Sequence, residues 1–188
     1  MKKYSINYFF SDEECKNYLT KLIEIGIPFK YNPNELWDCR RINDETFKIE
    51  VYNFILEKYK NNSFDFNSNF NIFNVKSINV SLTSYYEGRY LNLHKDASSS
   101  LTFVIVLSDN FNDGRFTITE SVNNNADFQN TENMDIIDIP KGYGIVFDGS
   151  KLYHGVLPVN SGIRYALNIW LSEESNQFAK LKNDNSII

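Results

Sequence analysis

Apolar residues recur at helical spacing in two stretches of the first sixty residues. In the first stretch, SDEECKNYLTKLIEIGIP, Ser11 is followed three residues later by Glu14, which is the spacing of a capping box at the start of a helix. Gly26 and Pro28 are expected to end this helix. Its apolar face would be formed by Leu19, Leu22 and Ile23.

A second helix is predicted from about Asp44 to Lys60. Its apolar positions are Phe47, Val51, Phe54, Ile55 and Tyr59. Residues 29–43, which lie between the two helices, show no clear period.

After about residue 72 the pattern changes to short β-branched or aromatic runs separated by turn signals. These runs predict strands, and their regular spacing favours an antiparallel sandwich or barrel. Asparagine-rich stretches at 61–71 and 122–130 are expected to be solvated loops. The predicted strands lie in FNVKSINVSLTSYY, SLTFVIVLS, RFTITES, MDIIDI, YGIVFDG, LYHGVLPV and IRYALNIWL.

Two helices followed by about eight strands predict a mainly β fold of the α+β class, a cupin-like jelly roll with the two helices packed on one sheet. No internal repeat or linker is visible, so residues 1–188 are expected to form a single domain. Within it, residues 1–71 would be a helical support region, residues 72–171 the β core, and residues 172–188 a tail.

Composition narrows the classes of function. The chain is 42% hydrophobic and 15% aromatic, which suffices for a buried core. A net charge of −5 argues against nucleic acid as a partner, because such a partner favours a basic face. No apolar run reaches the roughly 18 residues of a membrane span. Residues 1–14 are not expected to act as a secretion signal, because they contain no apolar h-region. Two cysteines, Cys15 and Cys39, make no disulfide framework, so a reduced, cytoplasmic location is expected.

The chain has two histidines, and both lie in stretches that favour a metal site. His94 and Asp96 are two residues apart in LNLHKDA, so in an extended segment both side chains leave the same face. His154, in LYHGVLP, would complete a set of two imidazoles and one carboxylate. This facial triad suits non-haem Fe(II), since it leaves coordination positions open.

Arg164 extends the hypothesis. Asn160-Ser161-Gly162 predicts a three-residue hairpin loop with glycine in the left-handed conformation. Arg164 would then share a face with His154, about 13 Å away between Cα atoms at about 3.4 Å per residue. The gap between metal and guanidinium would suit a short dicarboxylate. A loop of two or four residues would turn Arg164 to the other face. The residue pairs expected across the hairpin are Val159–Ile163, Pro158–Arg164 and His154–Asn168.

Each of these residues taken alone is more often a surface or structural residue than a functional one. Together they use both histidines, occur in the order HxD, His, Arg, and fall in a predicted jelly roll. They resemble the Fe(II)- and 2-oxoglutarate-dependent dioxygenase superfamily, and within it the prolyl-4-hydroxylase-like branch. The resemblance implies a double-stranded β-helix fold. The matching stretches are YYEGRYLNLHKD (85–96), SLTFVIVLSDNFNDGRFTI (100–118) and IPKGYGIVFDGSKLYHGVLPVNSGIRYALNIWL (139–171).

The resemblance implies that His94, Asp96 and His154 are the catalytic iron ligands, and that Arg164 pairs with the C5 carboxylate of 2-oxoglutarate. The stretch departs from the family at Val106, where several prolyl hydroxylases carry a tyrosine that also holds this carboxylate. Tyr85 or Thr102 is the candidate to supply the hydroxyl instead.

Two further positions near the predicted site are informative. Asp113-Gly114 replaces the usual Gly-Gly pair, so an altered turn is expected. Asn168, predicted opposite His154, is either a hydrogen-bond partner near the cofactors or an ordinary polar strand residue. The apolar residues expected to line the pocket or belong to the plain core are Val104, Val106, Val156 and Trp170.

The implied activity uses Fe(II), 2-oxoglutarate as cosubstrate and O2 to hydroxylate an aliphatic C–H bond, releasing succinate and CO2. Asp96 favours hydroxylation, because related halogenases have Ala or Gly at this position. The substrate is expected to be a small molecule, an amino acid or a peptidyl residue such as proline. Residues that would lie near the mouth of the site are Tyr86, Arg89, Trp37, Arg40 and Arg41.

Two alternatives stay open on the sequence. One is a non-catalytic jelly-roll module that binds metal or acts as a sensor. The other is a cupin-type metalloenzyme without 2-oxoglutarate, although cupin sites usually use three histidines and a glutamate. The sequence leaves the oligomeric state unassigned.

Overall fold

Two antiparallel sheets form the framework of the molecule. The structure is a computed structural model that describes residues 3–30, 37–61, 70–96, 100–122 and 133–174. Two helices lie on the outer side of the larger sheet, and their buried residues pack against it in one apolar cluster. The strands in chain order are β1 (Tyr4–Tyr8), β2 (Ile27–Phe29), β3 (Asp38–Ile42), β4 (Ser77–Tyr86), β5 (Leu91–His94), β6 (Ser100–Val106), β7 (Phe111–Asp113), β8 (Phe116–Thr119), β9 (Asp135–Ile137), β10 (Tyr143–Asp148), β11 (Tyr153–Val156) and β12 (Val159–Ser172).

Helix α1 spans Asp12–Ile25, and the predicted capping box is present. The Ser11 backbone N–H donates to Glu14 Oε2 at 2.7 Å, and the Glu14 backbone N–H donates to Ser11 Oγ at 3.3 Å. Leu22 is buried as expected, but Ile23 is 41% exposed, so its assignment to the apolar face is wrong. Cys15 takes that place, because it lies seven residues before Leu22 and therefore on the same side of the helix.

Helix α2 spans Glu45–Lys60, and Asp44 is its N-cap rather than its first residue. The Asp44 carboxylate accepts a hydrogen bond from the Phe47 backbone N–H at 3.0 Å. Phe47, Val51 and Ile55 are buried as predicted. Tyr59 is 42% exposed and lies outside the core.

The larger sheet has the order β1-β10-β6-β12-β4-β3-β2, and β7 pairs with the start of β12. The smaller sheet has the order β5-β11-β8-β9. Three strands of the larger sheet, β1, β2 and β3, come from the region expected to be helical or without period. They are three to five residues long, so each holds too few alternating positions to reveal its period in the sequence.

The predicted hairpin between His154 and Arg164 is absent, and this prediction is wrong. Strand β11 pairs with β5 and β8, whereas β12 pairs with β4, β6 and β7. The chain leaves one sheet and enters the other at Leu157, whose backbone N–H donates to Arg115 O at 3.0 Å. Gly162 has the predicted left-handed conformation (φ 78°), but it lies beside Phe111 of β7 next to a register shift.

The alternation of side chains on β12 separates two cores. Leu167, Ile169 and Leu171 pack on the side of the helices, where they join Phe103 and the buried residues of α1 and α2. Ala166 belongs to the cluster between the two sheets. Arg164 and Asn168 share the parity of Ala166, so they face the smaller sheet. This inter-sheet face carries the polar residues of the functional site.

Several sequence predictions fall outside the described residues. Most of the asparagine-rich stretches and the tail from residue 175 onward are among them. Neither helix in the described part of the chain has the length and apolar character required to span a bilayer.

Candidate metal centre

His94, Asp96 and His154 converge at one end of the space between the sheets. Each offers one ligand atom, and these atoms lie within 4.8 Å of one another. His94 ends β5 and lies directly opposite His154 of β11, so the antiparallel pairing brings the two imidazoles to ring centroids 4.3 Å apart. Asp96 follows β5 by two residues. The structure therefore brings together the three residues that the sequence predicts as metal ligands.

The two imidazoles are oriented in the same way. Nδ1 of His94 lies 3.0 Å from the backbone oxygen of Asn92, and Nδ1 of His154 lies 3.1 Å from that of Leu152. A carbonyl oxygen only accepts hydrogen bonds, so Nδ1 carries the proton in each ring. The lone pair of Nε2 is then available to a metal ion, which is the usual arrangement of ligating histidines.

Aromatic residues enclose His154, which is 5% exposed. The Phe147 ring is 4.7 Å away between centroids in edge contact, and the Phe116 ring is 6.1 Å away and stacked. Burial lowers the pKa of His154, although the Asp96 carboxylate opposes this shift. The imidazole is therefore neutral near pH 7, the form that binds a metal.

The two oxygens of Asp96 have different surroundings. Oδ1 lies 3.7 Å from Nε2 of His154, on the side of the imidazoles. Oδ2 accepts a hydrogen bond from the Thr102 hydroxyl at 2.6 Å. The sequence offers Thr102 as a hydroxyl donor near Arg164, but in the structure its hydroxyl donates to Asp96 instead. It lies opposite Trp170, six residues along β12 from Arg164, which is about 20 Å at about 3.4 Å per residue.

Arg164 and Tyr85 form a second polar site on the inter-sheet face. They are directly opposite on β12 and β4, and the guanidinium carbon lies 5.6 Å from the centroid of the Tyr85 ring. Arg164 is 2% exposed, and its Nη1 has no hydrogen-bond partner among the described residues. Burial lowers the pKa of this guanidinium, which nonetheless stays charged at neutral pH. A buried cation with an unpaired donor fits an anionic ligand such as a carboxylate.

A family model described as the 2OG-Fe(II) oxygenase superfamily matches residues 80–172, which contain all four predicted site residues. The chain belongs to this superfamily. The predicted family is confirmed, and so is the need for Fe(II), 2-oxoglutarate and O2 that defines these enzymes. Comparison with curated proteins finds no match.

Solved structures of similar proteins agree in fold. A prolyl-4-hydroxylase from Pseudomonas putida is 12% identical with a TM-score of 0.64, and the match covers 92% of this chain and 94% of that one. A prolyl hydroxylase from Trichoplax adhaerens, solved with a peptide fragment of hypoxia inducible factor, is 15% identical with a TM-score of 0.61, covering 98% and 88%. HygX from Streptomyces hygroscopicus, with nickel, 2-oxoglutarate and hygromycin B bound, is 12% identical with a TM-score of 0.60, covering 90% and 82%. The predicted double-stranded β-helix is confirmed.

The predicted hairpin would place Asn168 opposite His154. In the structure of this oxygenase Asn168 has other neighbours. It pairs in register with Ser81 and Val104, and its Nδ2 donates to Thr83 Oγ1 at 3.0 Å. The side chain is 7% exposed and lies on the inter-sheet face between Arg164 and Trp170. It is held by neighbouring strands rather than by the metal ligands. The buried apolar residues on the same side or on the facing sheet are Val104, Val106 and Val156.

The turn at Asp113-Gly114 keeps a glycine-like backbone. Both residues have left-handed conformations, with φ values of 61° and 74°. The Asp113 carboxylate accepts a hydrogen bond from Arg115 Nε at 3.0 Å, which holds the non-glycine residue in this conformation. A side chain at Gly114 would meet Val159 and would approach Arg164 Cδ to 3.2 Å. Gly114 thus makes room for the buried arginine, a role that only the packing reveals.

The residues expected near the mouth divide between the two faces of the sheet. Arg40 points toward α1, where its Nη1 donates to the backbone oxygen of Gly26 at 3.0 Å, so it does not line the site. Arg41 pairs with Ser81 and shares the inter-sheet face, with its guanidinium 3.8 Å from the Phe29 ring centroid. Trp37 packs against Tyr85 with centroids 6.2 Å apart.

Proposed function

We propose that this oxygenase hydroxylates an aliphatic C–H bond and converts 2-oxoglutarate to succinate and CO2 in the same turnover. One oxygen atom of O2 enters the substrate hydroxyl and the other enters succinate. The observation that carries the proposal is the unpaired Nη1 of buried Arg164, on the sheet face that looks toward the His94, Asp96 and His154 cluster.

In this proposal His94, Asp96 and His154 hold Fe(II), and bound Fe(II) with 2-oxoglutarate supplies the oxidising chemistry. Two neutral imidazoles and one carboxylate leave the site with a net charge near +1, which attracts the anionic cosubstrate. With three protein ligands, the site would leave coordination positions of the metal available to 2-oxoglutarate and O2. Phe116 and Phe147, which pack on His154, help to exclude water from the ligands.

Arg164 would orient 2-oxoglutarate by pairing with its C5 carboxylate. The planar guanidinium suits a bidentate contact, and the low-polarity surroundings strengthen it. Tyr85 is the residue that supports this role in place of the tyrosine which Val106 replaces. It lies directly opposite Arg164 and is 2% exposed, whereas Thr102 is committed to Asp96.

The substrate would be a small molecule, an amino acid or a peptidyl residue. Similar proteins have been solved with hygromycin B and with a peptide, so this fold accepts both kinds of ligand. Trp37 and Arg41 are candidates for substrate contact, because they lie at the β3 side of the inter-sheet face. In this scheme residues 72–171 are the catalytic core of a single domain, and residues 1–71 support it with α1, α2 and strands β1 to β3.

The first test is an anaerobic titration of Fe(II) and 2-oxoglutarate into the metal-free protein. We expect a weak visible charge-transfer band that requires both additions, and its loss in His154→Ala. The matched control is Tyr153→Ala, which removes the neighbouring side chain of β11 and should keep the band. Bound iron without a band would contradict the 2-oxoglutarate assignment. A band would justify a search for substrates that stimulate succinate release.

A further inference from the structure

The carboxylate of Asp96 is held from two sides by residues outside the ligand set. We propose that Thr102 and Gly149 position Asp96 so that Oδ1 alone faces the metal, and that this clasp sets the metal affinity of the site. The inference rests on the proposed function, in which Asp96 is an iron ligand. Thr102 and Gly149 act through Asp96 and are positioning residues.

Thr102 provides the first side of the clasp. Its side chain is 1% exposed on β6, and its hydroxyl donates to Asp96 Oδ2 at 2.6 Å. A hydroxyl bound to a carboxylate at this distance is a strong, charge-assisted hydrogen bond. Because the bond occupies Oδ2, the oxygen left toward His154 Nε2 is Oδ1, at 3.7 Å. The bond also joins β6 of the larger sheet to the residue that follows β5 of the smaller one.

Gly149 provides the second side. Its backbone oxygen accepts a hydrogen bond from the Asp96 backbone N–H at 2.9 Å. A Cβ atom built on Gly149 would overlap Asp96 Oδ2 and the Thr102 hydroxyl, and would lie 2.8 Å from Asp96 Cγ. Gly149 does not have a positive φ, so its backbone conformation does not require glycine. The glycine is required because the carboxylate occupies the space of a side chain.

The turn that carries Gly149 is itself braced. The Asp148 carboxylate accepts hydrogen bonds from the Ser150 backbone N–H at 3.2 Å and from the Ser150 hydroxyl at 2.7 Å. Asp148 also pairs with Lys151 at 2.7 Å. A fixed turn holds the backbone oxygen of Gly149 in place for Asp96. The site therefore presents a carboxylate with one committed oxygen and one free oxygen before a metal arrives.

The test compares metal affinity in Thr102→Val, Thr102→Ser and the unsubstituted protein, by anaerobic calorimetric titration with Mn(II) and with Fe(II). We expect Thr102→Val to bind either ion about 10- to 100-fold more weakly, the usual cost of losing a partner of a metal ligand. Thr102→Ser keeps the hydroxyl and should return the affinity to within about threefold of the unsubstituted value. This rescue separates the hydrogen bond from a general packing effect.

The matched control is Thr117→Val. Thr117 is a fully buried threonine on β8 whose hydroxyl has no partner among the described residues. The same change there should leave metal affinity unaltered. Equal affinities in Thr102→Val and the unsubstituted protein would overturn the inference while leaving the metal site intact.

A second variant covers the case in which Thr102→Val does not fold. Gly149→Ala keeps every hydrogen-bonding group but places a methyl group where the carboxylate lies. We expect it to weaken Mn(II) binding at least tenfold. Unchanged binding would contradict the clasp. If the unsubstituted protein binds neither Mn(II) nor Fe(II), the proposed function itself fails, and that outcome is distinct from a result in which only the variants disagree.

Discussion

Arg164 is the largest fully buried side chain of the described residues, and one of its donors is unpaired. Such a cation is costly for the fold unless a ligand pairs with it. The sequence pointed to Arg164 through its position after the last histidine, but its predicted hairpin was wrong. The arginine nonetheless faces the space between the sheets, because it lies two residues from Ala166 on β12 and therefore on the same side of the strand.

We predict that Arg164→Met weakens 2-oxoglutarate binding about 10- to 100-fold, as expected when a charged hydrogen-bonding group is lost. Metal affinity without 2-oxoglutarate should stay the same. In the ligand-free protein this variant should melt at the same temperature or higher, because a buried unpaired charge is removed. Calorimetric titration and thermal unfolding measure the two effects.

Arg40→Met is the matched control for Arg164→Met. Arg40 donates to the backbone oxygens of Ile23 and Gly26 near the end of α1, on the opposite face of the sheet. Its loss should lower the melting temperature without changing 2-oxoglutarate affinity. Equal loss of affinity in both variants would show that Arg164 has no specific role.

Among the secondary-structure elements, α1 is the one whose start is encoded most locally. Ser11 and Glu14 satisfy each other's backbone groups, and both are visible in the sequence. Strands β1, β2 and β3 show the opposite behaviour. They have little pattern of their own and are strands because neighbouring strands accept their backbone hydrogen bonds.

Ser11→Ala should lower the free energy of unfolding by about 1 kcal/mol, because the exposed N-terminus of α1 loses its cap. Urea denaturation followed by far-ultraviolet circular dichroism measures the change. Thr20→Ala is the control within the same helix. The Thr20 hydroxyl donates to the Lys16 backbone oxygen, an exposed bond whose loss costs little in a helix. No difference between the two variants would mean that the capping box adds nothing to stability.

For the fold as a whole, the candidate metal site joins the two sheets. His94 and His154 belong to the smaller sheet, while Asp96 is bonded to Thr102 of the larger one. A ligand that binds all three groups favours the folded chain over the unfolded chain.

We therefore predict that Mn(II) with 2-oxoglutarate raises the melting temperature, and that a chelator reverses the rise. At a ligand concentration of 100 times Kd the added stability is about 2.7 kcal/mol. Thermal unfolding with and without ligands measures it. Asp96→Ala should show a much smaller rise. A full rise in that variant would place the metal elsewhere.

Patterns along the chain suffice to predict the helices, most strands of the core and the family, and they single out four candidate site residues. The helices and strands depend on short-range features, namely caps and short β-branched or aromatic runs between turn signals. The family depends on the order of the HxD, His and Arg residues along the chain. Capping and strand propensity act between residues that are close in the chain, so a short stretch of sequence is enough to predict them.

The tertiary structure sets which strands are neighbours. It paired β11 with β5 rather than β12, which opposed the two histidines and separated Asn168 from His154. It also bonded Thr102 to Asp96, turned Arg40 away from the site, and placed Gly149 against a carboxylate. These contacts join residues distant in the chain, and they follow from the crossing between sheets and the strand register, which no local pattern encodes.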